Sequence, residues 1–122
     1  MMAGEGKLVR IFIGEADRLH TRPLFEAIVY AAREMGLAGA TVLRGVEGFG
    51  ADSVIHTARV LRLSEDLPIV IEVVEMPDRV VPFVERVEAM LDEANCGGLI
   101  TLERAEIIRY QPDRSARAAR TE

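Results

Sequence analysis

The chain has 122 residues, 49% of them hydrophobic, and carries 15 Lys and Arg against 20 Asp and Glu for a net charge of −5. That length suits one domain with a modest core, and the acidic balance excludes a general nucleic-acid binder. Aromatic residues make up only 5% and Trp is absent, so a stacking platform for single strands is excluded too.

The single cysteine, Cys96, cannot form an internal disulfide. The opening MMAGEGK is polar and lacks a secretory apolar run, and no window approaches the roughly 18 apolar residues of a membrane span. A cytoplasmic protein without membrane insertion is expected.

Residues 1–6 are expected to be a flexible lead. Lys7–Ile13 alternates as a strand, with Val9, Ile11 and Ile13 on one face, and Gly14 ends it. Glu15–Arg22 reads as a polar connection. A helix is expected from Pro23, with Leu24, Ile28, Ala31 or Ala32 and Met35 at helical spacing and Gly36 as its left-handed terminus.

Thr41–Glu47 is the second strand, interrupted by Gly45 and closed by Gly48-Phe49-Gly50. Ala51–Asp66 is a long connection, too apolar for a disordered linker; Val60–Leu63 within it suits a short strand, and loops of this length in small domains are usually functional. Leu67–Val74 is the most apolar strand, interrupted only by Glu72, as expected of a central strand covered on both faces.

A second helix is expected over Asp78–Ala94, with Asp78 as its N-cap and Val80, Val84, Val87, Leu91 and Ala94 as its stripe; Pro82 suits only a position near its start. Gly97-Gly98 turns the chain into Leu99–Leu102, and Ile107–Tyr110 follows after a polar break at Glu103–Glu106. The segment 111–122 lacks apolar periodicity and is expected to be a flexible tail.

The order is βαββαβ plus an extra C-terminal strand, over a single domain spanning residues 1–110. It predicts an α+β, ferredoxin-like fold: an antiparallel sheet with both helices on one face. The other face is left open although Leu67–Val74 is apolar on both sides. A second subunit is the expected cover.

Several separate motifs resemble the PII signalling superfamily, and most closely its PII-like family catalogued as domain of unknown function 190. They are Gly14-Glu15 after the first strand, Pro23–Glu26 opening the helix, Gly39–Val42, Arg44-Gly45 before Gly48-Phe49-Gly50, and Leu63–Pro68 before the third strand. The resemblance covers roughly residues 7–110. It implies a homotrimer with adenine-nucleotide clefts between neighbouring subunits and a long loop, 51–66, that reaches a regulated partner protein.

By position, the resemblance maps adenine contacts onto Thr41 and Val74. It places Gly48, Phe49 and Gly50 at the loop base beside the phosphates, with Arg44 preceding them. Gly97 and Gly98 become a second phosphate loop, and Arg109 an arginine of the last strand. Glycines admit backbone N–H groups close to phosphate oxygens, and arginine can grip a phosphate with two parallel bonds.

The chain departs from PII proteins where they carry phosphate-binding cations. Ala51 stands for a basic residue, Leu99 for a lysine, and the loop lacks their modifiable tyrosine. AMP, ADP or a cyclic nucleotide is therefore expected over ATP.

No Ser-His-Asp elbow, P-loop or HExxH is present, so no enzyme and no catalytic residue is expected. Glu15 and Asp17 read as a solvated turn. His20 and His56 lack a second ligand at metal spacing, so no metal site is expected. The alternative function is a metal-binding trimer of the related CutA-type fold, against which the lone Cys96 argues.

Overall fold

The computed structural model describes residues 2–49 and 66–112. The expected loop strand at Val60–Leu63 and the terminal segment from residue 113 lie outside the described residues. In chain order the elements are β1 (Met2–Gly14), β2 (Arg18–Leu19), β3 (Arg22–Pro23), α1 (Leu24–Glu34), β4 (Thr41–Arg44), β5 (Pro68–Glu75), α2 (Pro77–Ala94) and β6 (Leu99–Tyr110). The main sheet runs β4-β5-β1-β6 with every neighbouring pair antiparallel. This is the ferredoxin-like order.

Period-two alternation builds the core. Val9, Ile11 and Ile13 on β1 and Ile69, Ile71 and Val73 on β5 all point to the same side and are buried there. The helices cover them with Leu24, Ile28 and Ala32 from α1, and Val80, Phe83, Val87 and Leu91 from α2. Phe83 is fully buried and joins the α2 stripe one position before the expected Val84, which is only half-buried.

Four boundaries differ from expectation, each for a visible reason. The residues expected to be a flexible lead continue β1, because the long edge strand β6 pairs with them: Glu5 lies opposite Glu106 and Gly6 opposite Ala105. A register shift between Met2 and Gly4 is accommodated by Gly4 at φ 109°. The polar break at Glu103–Glu106 does not interrupt β6, so the described residues form one long strand there and no separate extra strand. Its charges are carried on an exposed edge, with ion pairs from Arg10 to Glu103 and from Arg104 to Glu5.

At the other edge β4 ends at Arg44 rather than Glu47. Gly45 still donates to the Pro68 carbonyl at 2.7 Å, but Pro68 has no N–H to return a ladder bond. In α2, Met76 rather than Asp78 is the N-cap. Pro77 takes the first turn, Asp78 contributes an acidic side chain there, and Pro82 lies inside the helix on its exposed side. Helix α1 is capped at Pro23 and followed by Gly36 at φ 72°, the left-handed terminus its sequence calls for.

The polar connection after β1 holds a small hairpin, β2–β3, with His20 at φ 57° at its tip. It is tethered by a His20–Glu93 contact to the end of α2 and by Arg22 stacked 4.5 Å over the Tyr30 ring.

The sheet face away from the helices is uncovered in one copy. Leu43, Val74 and Leu99 are exposed there, and Leu8, Phe12 and Val70 half-buried. A charged network crosses its centre: Arg10 Nε donates to Glu72 Oε2 at 2.9 Å, and the same guanidinium pairs with Glu103. The Glu72 hydrogen bond is the main cause holding the Arg10 guanidinium above its ordinary value, against partial desolvation, with Glu103 adding to it.

Candidate functional site

The base of the long loop is assembled by backbone bonds from three strands. The departing stem leaves β4 at Arg44-Gly45, and the returning stem re-enters at Asp66–Pro68. Both dock on the turn that follows β1. Glu15 N–H donates to the Leu67 carbonyl at 2.8 Å, Ala16 N–H to Asp66 Oδ1 at 3.0 Å, and Gly45 N–H to the Pro68 carbonyl. The turn is closed from within by Gly14 N–H on Asp17 Oδ2 at 2.9 Å, and the Asp17 carbonyl accepts the first N–H of α1, Leu24, at 2.8 Å.

Small residues are favoured here by close approach. A Cβ on Gly14 would sit 2.6 Å from Asp66 Oδ1, and one on Gly45 would sit 2.7 Å from Pro68 Cγ. Gly48 also lies over Pro68, with 3.1 Å to Cγ.

A side chain of this turn, expected from the sequence to be solvated, holds the departing stem. Glu15 forms an ion pair with Arg44. Glu15 and Asp17 therefore depart from the expected solvated turn: one binds a guanidinium and the other accepts a backbone N–H. The sequence signal for Glu15 was its place in the Gly14-Glu15 motif directly after the first strand.

The nine predicted site residues fall into separate groups. Arg44, Gly48 and Phe49 lie at the loop base, Phe49 with 70% of its surface exposed. Gly50 lies outside the described residues. Gly98 is at the same end of the sheet but on the opposite edge, where an added Cβ would meet Ile13 Cγ2 and the Phe12 carbonyl at 3.3 Å; Gly97 precedes it in the turn. Three strand spacings separate these edges, roughly 14 Å.

Thr41 pairs with Glu72, three residues from Arg44 along β4. Val74 pairs with Leu8, further toward the far end of the sheet. Arg109 lies at that far end of β6, beside the Met2–Gly4 irregularity. Eleven residues of extended strand put it about 35 Å from Gly98. One copy does not bring these residues together.

A concavity of about 470 Å³ lies at the far end, between α1 and the connection to β4, lined by Val29, Ala32, Arg33 and residues 36–40. None of the predicted site residues among those described lines it. Among the described residues no three His, Cys, Asp or Glu side chains come together to hold a metal ion, and no helix is long and apolar enough to cross a membrane.

The fold has clear counterparts among solved structures. CPII from Thiomonas intermedia K12, described as a nitrogen regulatory PII-like protein, superposes with a TM-score of 0.63 at 16% identity in its complex with ADP, AMP and acetate, over 89% of this chain and 94% of that one. A PII-like signalling protein from Thermus thermophilus gives 0.57 at 16% identity, over 88% and 94%. The architecture is thus PII-like. The DUF190 family model, described as Uncharacterized ACR, matches residues 6–107. A UPF0166 protein of Aquifex aeolicus (strain VF5) is 33% identical over 102 residues, 84% of this chain and 92% of its own. A UPF0166 protein of Methanocaldococcus jannaschii is 29% identical over 76 residues, 62% of this chain and 69% of its own. The chain belongs to the DUF190 family.

Proposed function

We propose that this protein is a non-enzymatic PII-like regulator: a homotrimer that binds an adenine nucleotide in clefts between copies and signals through the loop of residues 51–66. The observation that carries the intersubunit cleft is the separation within one copy. Arg44, Gly48 and Gly98 lie at one end of the sheet and Arg109 at the other. A phosphate-binding set that includes Arg109 closes only when a neighbouring copy supplies it.

The open sheet face supports the trimer. Leu43, Val74 and Leu99 present apolar surface around the Arg10–Glu72 pair, as a face built to meet another copy does. The ligand class is supported by the PII-like fold, whose CPII representative is described bound to ADP and AMP. The sequence supplies fewer cations for a triphosphate, with Leu99 and Ala51 where PII proteins carry basic residues. AMP, ADP or a cyclic nucleotide is therefore favoured over ATP.

Calorimetric titration of the full chain with AMP, ADP, ATP and cyclic AMP tests this reading. Saturable binding of at least one, with one nucleotide per chain, is expected. Absence of binding to all four at millimolar concentration overturns it.

A further inference from the structure

Three carboxylates surround the turn that anchors the loop. Asp17 and Asp66 are committed to backbone N–H groups, Gly14 and Ala16 respectively. Glu15 alone has a cation: among the described residues, Arg44 is the only one in an ion pair with any of the three. The Glu15 side chain is the more buried partner, 24% exposed against 58% for Arg44. Its backbone N–H is bound to the Leu67 carbonyl, and the more exposed arginine has the greater freedom to turn toward solvent.

Building on the nucleotide reading above, we infer that Glu15 is a specificity residue that competes with ligand phosphate for Arg44 and so selects against highly charged nucleotides. A phosphate that takes the Arg44 guanidinium must displace Glu15 and then sit near a carboxylate that has lost its cation. Breaking the pair costs the same for every ligand, but the repulsion from the freed carboxylate rises with the charge of the phosphate chain, because like charges repel in proportion to their product. Taking Arg44 from Glu15 also frees the contact that ties the departing stem of the loop to the turn after β1. Ligand occupancy and the stem at Arg44 are thereby coupled through one guanidinium.

The test is titration of AMP, ADP and ATP into the parent chain, Glu15→Gln, Arg44→Gln and the double variant, alongside thermal melting. Glu15→Gln keeps the backbone bond to Leu67 and removes the competing charge. Its affinity for ADP should rise by up to about fivefold, the scale of releasing one exposed ion pair. The gain should be smallest for AMP and largest for ATP, and it should vanish in the double variant.

Unchanged affinities in Glu15→Gln, with the parent still binding, overturn the role of Glu15 and leave the nucleotide reading standing. A uniform loss for all three nucleotides with a lowered melting temperature also overturns it, because that is the signature of a side chain that merely supports the loop base. If neither the parent nor Glu15→Gln binds any nucleotide, the nucleotide reading itself fails and this inference falls with it. Binding that appears only in Glu15→Gln supports it.

Discussion

The buried carboxylate of Glu75 accepts the backbone N–H of Ala38 at 2.9 Å, across 37 residues of chain. Its other oxygen accepts the N–H of Met76 at 2.8 Å. Glu75 is only 2% exposed and is the one buried charged residue among the described core. It pins the α1–β4 connection to the start of α2. The same connection is held by Arg79 on the Gly36 carbonyl at 2.6 Å and by Tyr110 Oη on the Ala38 carbonyl at 3.1 Å.

Glu75→Ala should therefore be among the most damaging single changes. It strands two part-buried N–H donors that now meet the Glu75 carboxylate, for a loss of about 2 kcal/mol. Glu75→Gln should lose roughly half of that. Its amide offers one acceptor oxygen, and its NH₂ faces the second donor. Urea denaturation at neutral pH measures both; a Glu75→Ala variant as stable as the parent would show that the two bonds carry no net weight.

Gly14→Ala probes the loop base without touching a predicted ligand contact. The new Cβ would lie 2.6 Å from Asp66 Oδ1, the end of a side chain that can swing away. Doing so takes the acceptor from Ala16 N–H. A stability loss of about 1 kcal/mol is expected, with faster amide exchange at Ala16 and little change at core amides such as Ile11. Exchange at Ala16 that stays at the parent rate contradicts this.

Much of the fold is legible in the sequence because burial leaves a periodic trace. The alternation of Val9, Ile11 and Ile13 and the apolar run after Pro68 locate the two central strands, and Gly36 marks the end of α1. Edges leave no such trace. Gly4, Glu5 and Gly6 are polar or small, yet pair with β6 through their backbones, and Glu103–Glu106 stay in strand because their side chains face water. The site was less legible than the fold. Periodicity says nothing about Glu15 reaching Arg44 across 29 residues, since that contact exists only once β1 and β4 are laid in the same sheet.

The open sheet face should be an interface. Val70 lies on β5 between Leu43 and Phe12, half-buried in a single copy. Val70→Asp would place a charge among apolar neighbours beside the Glu72–Arg10 pair and should shift a trimer toward monomer in light scattering at micromolar concentration. The monomer should keep its fold, because the core lies on the other face. The Arg10 contribution should not vary with pH in the ordinary range. Its folded value is raised, so its stabilisation is complete below the unfolded guanidinium value, far above neutrality, and is lost only beyond it. A parent chain that is monomeric at these concentrations would refute the interface.

The cleft between copies makes the most specific prediction. Arg44 and Arg109 lie toward opposite ends of the sheet, so in a trimer one cleft should draw the two from different copies. Arg109→Ala is exposed at the end of an edge strand and should leave melting unchanged while lowering nucleotide affinity by about 1.5–3 kcal/mol, the weight of a charged hydrogen bond. Arg44→Gln should behave similarly. Each variant alone then has no intact cleft. Unfolded together in equal amounts and refolded, they should assemble mixed trimers in which about one quarter of the clefts pair a normal Arg44 with a normal Arg109. Tight binding should return with that stoichiometry. Mixing without refolding should restore nothing if trimers do not exchange. If refolded mixtures stay as weak as the separate variants although both form trimers, the two arginines act within one copy or not at all, and the intersubunit cleft is wrong.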